Sequence, residues 1–234
     1  DHFFDGTKEN RQLLNQIYGS LSDVLFLEYP FLSGPSPAYL PSLSRLVGSQ
    51  YLDEEIERVF FLDADEIPDG HRVLEWLETS DWSQHSVLKM ANYWYFRERC
   101  YQSKLWEDSI IFVQAKTLEP ALLLHERERD AIYDLLPGPK KRNVTGFDGA
   151  PLFHHYSWVR TKDEMIKKVK SWSHREDRNW VSLVEEEFSS PFRGTDFIHG
   201  YSYSEVVPLF KISFEGELFP KQQGKGKVER ISEE

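Results

Sequence analysis

Along the first eighty residues, apolar positions recur with two alternating periods. Between Lys8 and Ser20, Leu13, Leu14, Ile17 and Tyr18 fall at helical spacing, and the short apolar run "DVLFLEYPF" that follows predicts a buried strand. "SGPSP", Ser33 to Pro37, breaks the chain. Tyr39 to Tyr51 then returns to a helical period, with Leu40, Leu43, Leu46 and Val47 on one face. "RVFFLDAD" predicts the next strand, "IPDG" a turn and "HRVLEWLET" another helix. Helix alternating with strand predicts an α/β fold whose ligands sit at the carboxyl edge of the sheet.

The pattern then changes. "SVLKMANYWYF" and "SIIFVQAKTL" predict longer, partly alternating strands joined by the polar "RERCYQSKLWED". Leu122 to Gly149 reads as mixed and loop-rich, with "PGPKK" as its clearest break. "PLFHHYSWV" predicts a further short strand, and "TKDEMIKKVKSWSHREDRNWVSLVEEEF" a long helix capped by Thr161 or Asp163. From Gly216 the chain is charged and Gly-containing, which predicts a loosely held tail over 216–234 behind a single domain over 1–215.

A chain of 234 residues can bury one substantial core. Its net charge of −11 argues against a general nucleic-acid or anionic-membrane binder, which needs a basic face. No apolar run reaches membrane-spanning length. Cys100 is the one cysteine, so no intrachain disulfide forms, in keeping with a reducing compartment. Seven Trp and eleven Tyr suit flat or sugar-like ligands as well as packing.

The most informative stretch is "RVFFLDADEIPDG". It sets three carboxylates, Asp63, Asp65 and Glu66, directly behind an apolar run. Clustered carboxylates repel one another and resist desolvation, so such a cluster asks for a cation. On a regular strand Asp63 and Asp65 face the same side and can share one; hard oxygen ligands suit Mg²⁺ or Mn²⁺. A solvated acidic turn is the alternative. His154 and His155 lie on the later strand, facing opposite ways, so one imidazole reaches a given site.

Three ordered islands then resemble known glycosyltransferases. "FLDADEIPDG" and "HHYSWVRTKDEMIKKVKSWSHRED" resemble the beta-1,4-mannosyl-glycoprotein N-acetylglucosaminyltransferase family (family 17), and "DHFFDGT" resembles the end of the second strand in family 2-like glycosyltransferases. The resemblance implies a GT-A fold, Rossmann-like with a mixed central sheet and lacking its N-terminal strand here. It also implies a UDP- or GDP-sugar donor, a glycan or glycoconjugate acceptor, and Mn²⁺ or Mg²⁺ bound at a DxD motif. By position Asp63 and Asp65 match the DxD carboxylates, His155 the metal-binding imidazole, and Asp1 the residue that contacts the nucleotide base. The single cysteine departs from Golgi-type relatives, and the expected location is cytoplasmic, with peripheral membrane association left open.

Transfer with inversion needs a carboxylate base at the acceptor hydroxyl. "KLWEDSIIF" offers Glu107 and Asp108, beside Trp106, which is placed to stack on a sugar; Asp148 is a further candidate base. Lys168, Lys170, His174 and Arg175 cluster on the helix after the His strand, and Lys170 and His174 are assigned to the donor diphosphate. Two other readings remain open: a haloacid-dehalogenase-like phosphatase, which also carries Asp-x-Asp after an apolar strand, and a non-catalytic sugar- or nucleotide-binding module.

Overall fold

The computed structural model describes residues 24–29, 39–172, 174–210 and 227–230, with helical positions at 12, 16, 18 and 19. In chain order its elements are β1 (Leu25–Glu28), α1 (Leu40–Ser49), β2 (Arg58–Phe61), β3 (Glu66–Pro68), α2 (Gly70–Thr79), β4 (Val87–Phe96) and β5 (Glu98–Gln114). These are followed by α3 (Pro120–Leu123), α4 (Glu128–Leu135), β6 (Lys140–Val144), β7 (Phe153–Trp158), α5 (Lys162–Ser171), α6 (Trp180–Glu187), β8 (Tyr203–Glu205) and β9 (Lys227–Arg230).

The chain divides into two compact units, residues 1–40 with 209–234, and residues 41–208. In the first, β1 pairs in parallel with β9, so the segment expected as a loosely held tail contributes a strand. The second holds a seven-stranded mixed sheet in the order β2-β5-β4-β7-β3, with β6 also on β4 and β8 also on β5. Only β4 with β7 and β4 with β6 run parallel; the rest are antiparallel. Among the described residues no helix is long and apolar enough to cross a membrane.

Three apolar clusters fasten helices to this sheet. Val73 and Trp76 of α2 pack on Met90, Ile110, Phe112 and Phe153. Ile132 of α4 packs on Phe61, Val87, Ile111 and Val113. Met165 and Val169 of α5 pack with Trp180 and Val184 of α6 on Trp94, Phe96 and Trp158. Burying each such side chain contributes roughly 1.5–3 kcal/mol, which fixes the helices that carry the polar site residues described below.

Four expectations need correction. The strand read through Asp65 stops at Phe61; Asp63 and Asp65 lie in a turn before β3, closed by Glu66 N–H donating to the Asp63 carbonyl at 2.9 Å. The polar stretch after Arg97 is no connector but the first half of β5. Its residues, exposed or half-buried except for Ser103, pair with β4 and β8, and Arg97, at φ 64°, makes the whole turn. The long helix is two, because "WSHREDRN" offers no apolar residue between Trp172 and Trp180 to continue the buried stripe. The loop-rich segment contains α3, α4 and β6. At the start of α5, Thr161 and Glu164 form a capping box, so Thr161 rather than Asp163 is the cap.

Candidate functional site

The acidic turn is built around a buried ion pair. Glu66 is fully enclosed, and its carboxylate accepts from Arg129 Nη1 at 2.5 Å, Ser109 Oγ at 2.6 Å and the Asp63 backbone N–H at 2.7 Å. An isolated carboxylate there would be costly, and Arg129, reaching in from α4, offsets that cost. Arg129 Nη2 also donates to Asp63 Oδ2 at 3.0 Å, and Arg45 of α1 donates to Asp63 Oδ1 at 3.3 Å. Two guanidinium groups thus occupy Asp63, and because the chain turns after it, Asp63 and Asp65 do not share one side as a regular strand would require.

Asp65 points instead to β7. Its Oδ1 lies 3.5 Å from His155 Nε2, although the two residues are ninety positions apart. Burial pushes the Asp65 carboxyl up, but the hydrogen bond and charge of His155, with Lys168 and Arg160 nearby, outweigh it and hold the group at about 2. His155 stands edge-on to Trp94 at 4.8 Å. Its Nδ1 is buried, has no hydrogen-bond partner among the described residues, and faces Glu66 Oε1 at 3.9 Å. In this arrangement Nε2–H is the donor to Asp65; a cation that displaced that proton would find Asp65 Oδ1 and Nε2 side by side, with Nδ1–H still turned toward Glu66.

Among the described residues no three His, Cys, Asp or Glu side chains form a group able to hold a metal ion. One carboxylate and one imidazole converge, a half-set that suits Mn²⁺ or Mg²⁺, ions that commonly complete their shell with substrate phosphates and water. Asp65 and His155 are the two side chains that would hold such an ion, with Asp63 kept apart from them by the arginines.

Lys168 is the basic residue of α5 that the fold brings to this turn. Its Nζ donates to Ser157 Oγ at 2.7 Å and lies 5.0 Å over the Trp158 ring. Burial and Arg160 lower its ammonium to about 8, against the pull of Asp65 and Asp63. Lys170, two residues on and so about 200° round the helix, is exposed. His174 is exposed and pairs with Asp177 at 3.0 Å, and Arg175 pairs with Glu176. Neither Lys170 nor His174 joins the acidic turn in these interactions.

The β5 residues separate at a bulge. Met90 pairs with Ile110 and Asn92 with Glu107, so Asp108 and Ser109 both stand against Ala91. Ser109 turns to Glu66, while Asp108 is held in a fork by Arg142 at 2.8 and 2.9 Å, with Lys89 at 3.6 Å. Glu107 is largely buried near His155 and lies 3.8 Å from His199 Nε2. Burial raises its pKa, and His199, His155 and a hydrogen bond from Tyr201 counter only part of that. Trp106 points to the other face, edge-on to Tyr93 at 6.4 Å, away from Glu107. Asp148 is exposed and bound to Arg72 at 2.6 Å. Asp1 lies outside the described residues.

His154 belongs to that other face, where its Nδ1 meets the Tyr95 hydroxyl at 2.8 Å. Burial pushes its imidazole from 6.5 down to about 4, with Asp69 offsetting little. The unfolded chain therefore binds this proton first as pH falls. The contribution is intact above pH 6.5 and is lost between about 6.5 and 4, amounting to about 3 kcal/mol. Urea unfolding in the presence of chelator should show this decline in the wild-type chain and a flatter profile in His154→Gln; identical profiles would contradict it.

Sequence reasoning missed Arg45, Arg129, His199 and Tyr201, which enter from elements distant in the chain. Lys168 carried a signal: it sits at i+3 from Met165 and i−4 from Trp172, on the buried stripe. Comparison with protein-family models, curated proteins and solved structures finds no match to this chain.

Proposed function

We propose that the chain is a divalent-metal-dependent glycosyltransferase, moving a sugar from a UDP- or GDP-sugar to a saccharide hydroxyl with inversion, on a GT-A-like fold. The observation that supports this most is the convergence of Asp65, His155 and Lys168, from a turn, a strand and a helix, beside a desolvated carboxylate, Glu107. A bound Mn²⁺ or Mg²⁺ would neutralise charge on the donor diphosphate. Asp65 and His155 would hold it, and the Lys168 ammonium would meet charge that grows on the leaving group, an interaction stronger in the transition state than before it. Glu107 takes the acceptor proton as the acceptor oxygen bonds to the anomeric carbon. The bond from that carbon to phosphate oxygen breaks, and the electron pair leaves with the nucleoside diphosphate.

Mn²⁺ with UDP or GDP should raise the melting temperature, because a ligand at 100 times its Kd stabilises the folded state by about 2.7 kcal/mol. Asp65→Asn and His155→Ala should each lose the Mn²⁺-dependent part of that shift. A wild-type protein indifferent to Mn²⁺ with either nucleotide, or an Asp65→Asn variant that keeps the full shift, would refute the proposal. Hydrolysis of an aryl phosphate without nucleotide binding would favour the phosphatase reading.

A further inference from the structure

We infer that the loop from Asp196 to Tyr201 forms the acceptor side of this site, and that His199 is a positioning residue that orients the Glu107 carboxylate toward a saccharide hydroxyl. The inference rests on the transferase reading and adds to it a second wall, drawn from a segment that no motif singled out.

The loop is shaped by one buried carboxylate. Asp196 Oδ1 accepts the backbone N–H groups of Ile198 at 2.7 Å, His199 at 2.6 Å and Gly200 at 3.2 Å. Its Oδ2 accepts from Tyr201 N–H at 3.2 Å and from the Tyr203 hydroxyl at 2.8 Å. Gly200, at φ 72°, supplies the left-handed turn that lets successive N–H groups converge on one acid. These bonds account for the loop's course without the His199 ring, which takes part only through its backbone.

The ring is thus free of that scaffolding and is aimed at the site. His199 Nε2 lies 3.8 Å from Glu107 Oε1. Trp94 stands edge-on to both imidazoles, His155 at 4.8 Å and His199 at 5.2 Å, so one indole spaces the donor-side histidine from this one. Tyr201 stacks on His199 at 5.0 Å and 23°, and its hydroxyl bonds to Glu107. The His199 side chain is 37% exposed, so this edge of the carboxylate borders solvent. A stacked pair of flat rings beside a partly desolvated acid matches a sugar: a ring face for its C–H surface, and an acceptor for one hydroxyl proton.

The groups facing Glu107 are His199 and Tyr201 from the loop, His155 from β7, and Asp196. Removing the His199 charge leaves burial and Asp196 less opposed, so Glu107 should ionise at higher pH. A base must be ionised to act, and the acid limb of the transfer profile should therefore move to higher pH.

The test compares wild type, His199→Gln and His199→Ala with Mn²⁺ and UDP-N-acetylglucosamine, UDP-glucose or GDP-mannose, each with water alone and with a panel of free saccharides. Both variants should keep the Mn²⁺–UDP thermal shift. Both should lose more than about tenfold in acceptor-dependent kcat/KM, and His199→Gln should show the displaced acid limb. Transfer within about twofold of wild type, with an unmoved acid limb, would overturn the inference while leaving the donor site standing. A wild-type chain without the nucleotide shift would instead remove the transferase reading, and this inference with it. If no saccharide in the panel is used, a double-variant cycle in urea unfolding decides: His199→Gln and Glu107→Gln should be non-additive by more than about 0.5 kcal/mol, and additive effects would overturn the pairing.

Discussion

Arg129→Met should destabilise the chain by about 4 kcal/mol, the cost of leaving a buried carboxylate without its partner. Glu66 is fully enclosed, and Arg129 supplies two of the bonds that satisfy it, through Nη1 to Oε2 at 2.5 Å and Nη2 to Oε1 at 3.1 Å. Removal also frees Asp63 Oδ2, leaving Arg45 as the remaining guanidinium on that acid. The loss corresponds to a fall in Tm of about 10 °C for a chain of this size, read by thermal unfolding. The decisive comparison is the double variant Arg129→Met with Glu66→Gln. If the cost comes from uncompensated charge, neutralising Glu66 should restore part of the stability; if it comes from lost packing of the arginine stem, the double variant should be no better than the single. A single variant within about 0.5 kcal/mol of wild type would show that the pair is not the centre of the turn.

This network also explains how much of the site was legible in the sequence. The apolar run before Asp63, the helix at α2, the strand bearing the two histidines and the start of α5 all follow from local period and capping, and the structure places each there. On sequence, Asp63, Asp65 and His155 are expected around one metal ion; the structure brings Asp65 and His155 to 3.5 Å and sets Asp63 apart with two arginines. The reason is physical. A two-residue spacing predicts a shared face only while the backbone stays extended, and here the Asp63 carbonyl accepts from Glu66 N–H and closes a turn. What occupies Asp63 comes from α1 and α4, and no local pattern announces that two arginines eighty-four positions apart meet at one carboxylate.

The same distinction separates Glu107 from Asp108. Strand alternation sends these neighbours to opposite faces, and the register with β4, shifted by the bulge opposite Ala91, leaves Asp108 with Arg142 and Glu107 beside the histidines. A bulge has no reliable sequence mark outside glycine, and β5 carries none. By contrast, the break between α5 and α6 had a visible cause in the missing apolar positions. Composition set too coarse a filter for the loop at Asp196: "TDFIHGY" looks like any polar connection until its N–H groups are counted.

Asp196→Ala should cost about 3 kcal/mol, because it strands two buried donors, the Ile198 N–H and the Tyr203 hydroxyl, and removes the acceptor of three part-buried amides. Four backbone N–H groups and the Tyr203 hydroxyl lose their acceptor together, and no nearby carbonyl is bonded to replace it for Ile198, His199 or Gly200. Asp196→Asn should fall between wild type and alanine. The amide oxygen can keep the three bonds made by Oδ1, but its NH₂ then faces the Tyr201 N–H, donor against donor, while the Tyr203 hydroxyl can reverse and accept. Chemical denaturation should therefore rank the three chains wild type, asparagine, alanine. Hydrogen exchange at residues 198–201 should quicken in the same order, because these amides are protected by that carboxylate. Equal stability of the asparagine and alanine variants would mean that the negative charge, rather than the geometry of acceptance, holds the loop. Unchanged exchange at His199 in either variant would detach its ring from the carboxylate that shapes its backbone, and with it the argument that the turn exists to face Glu107.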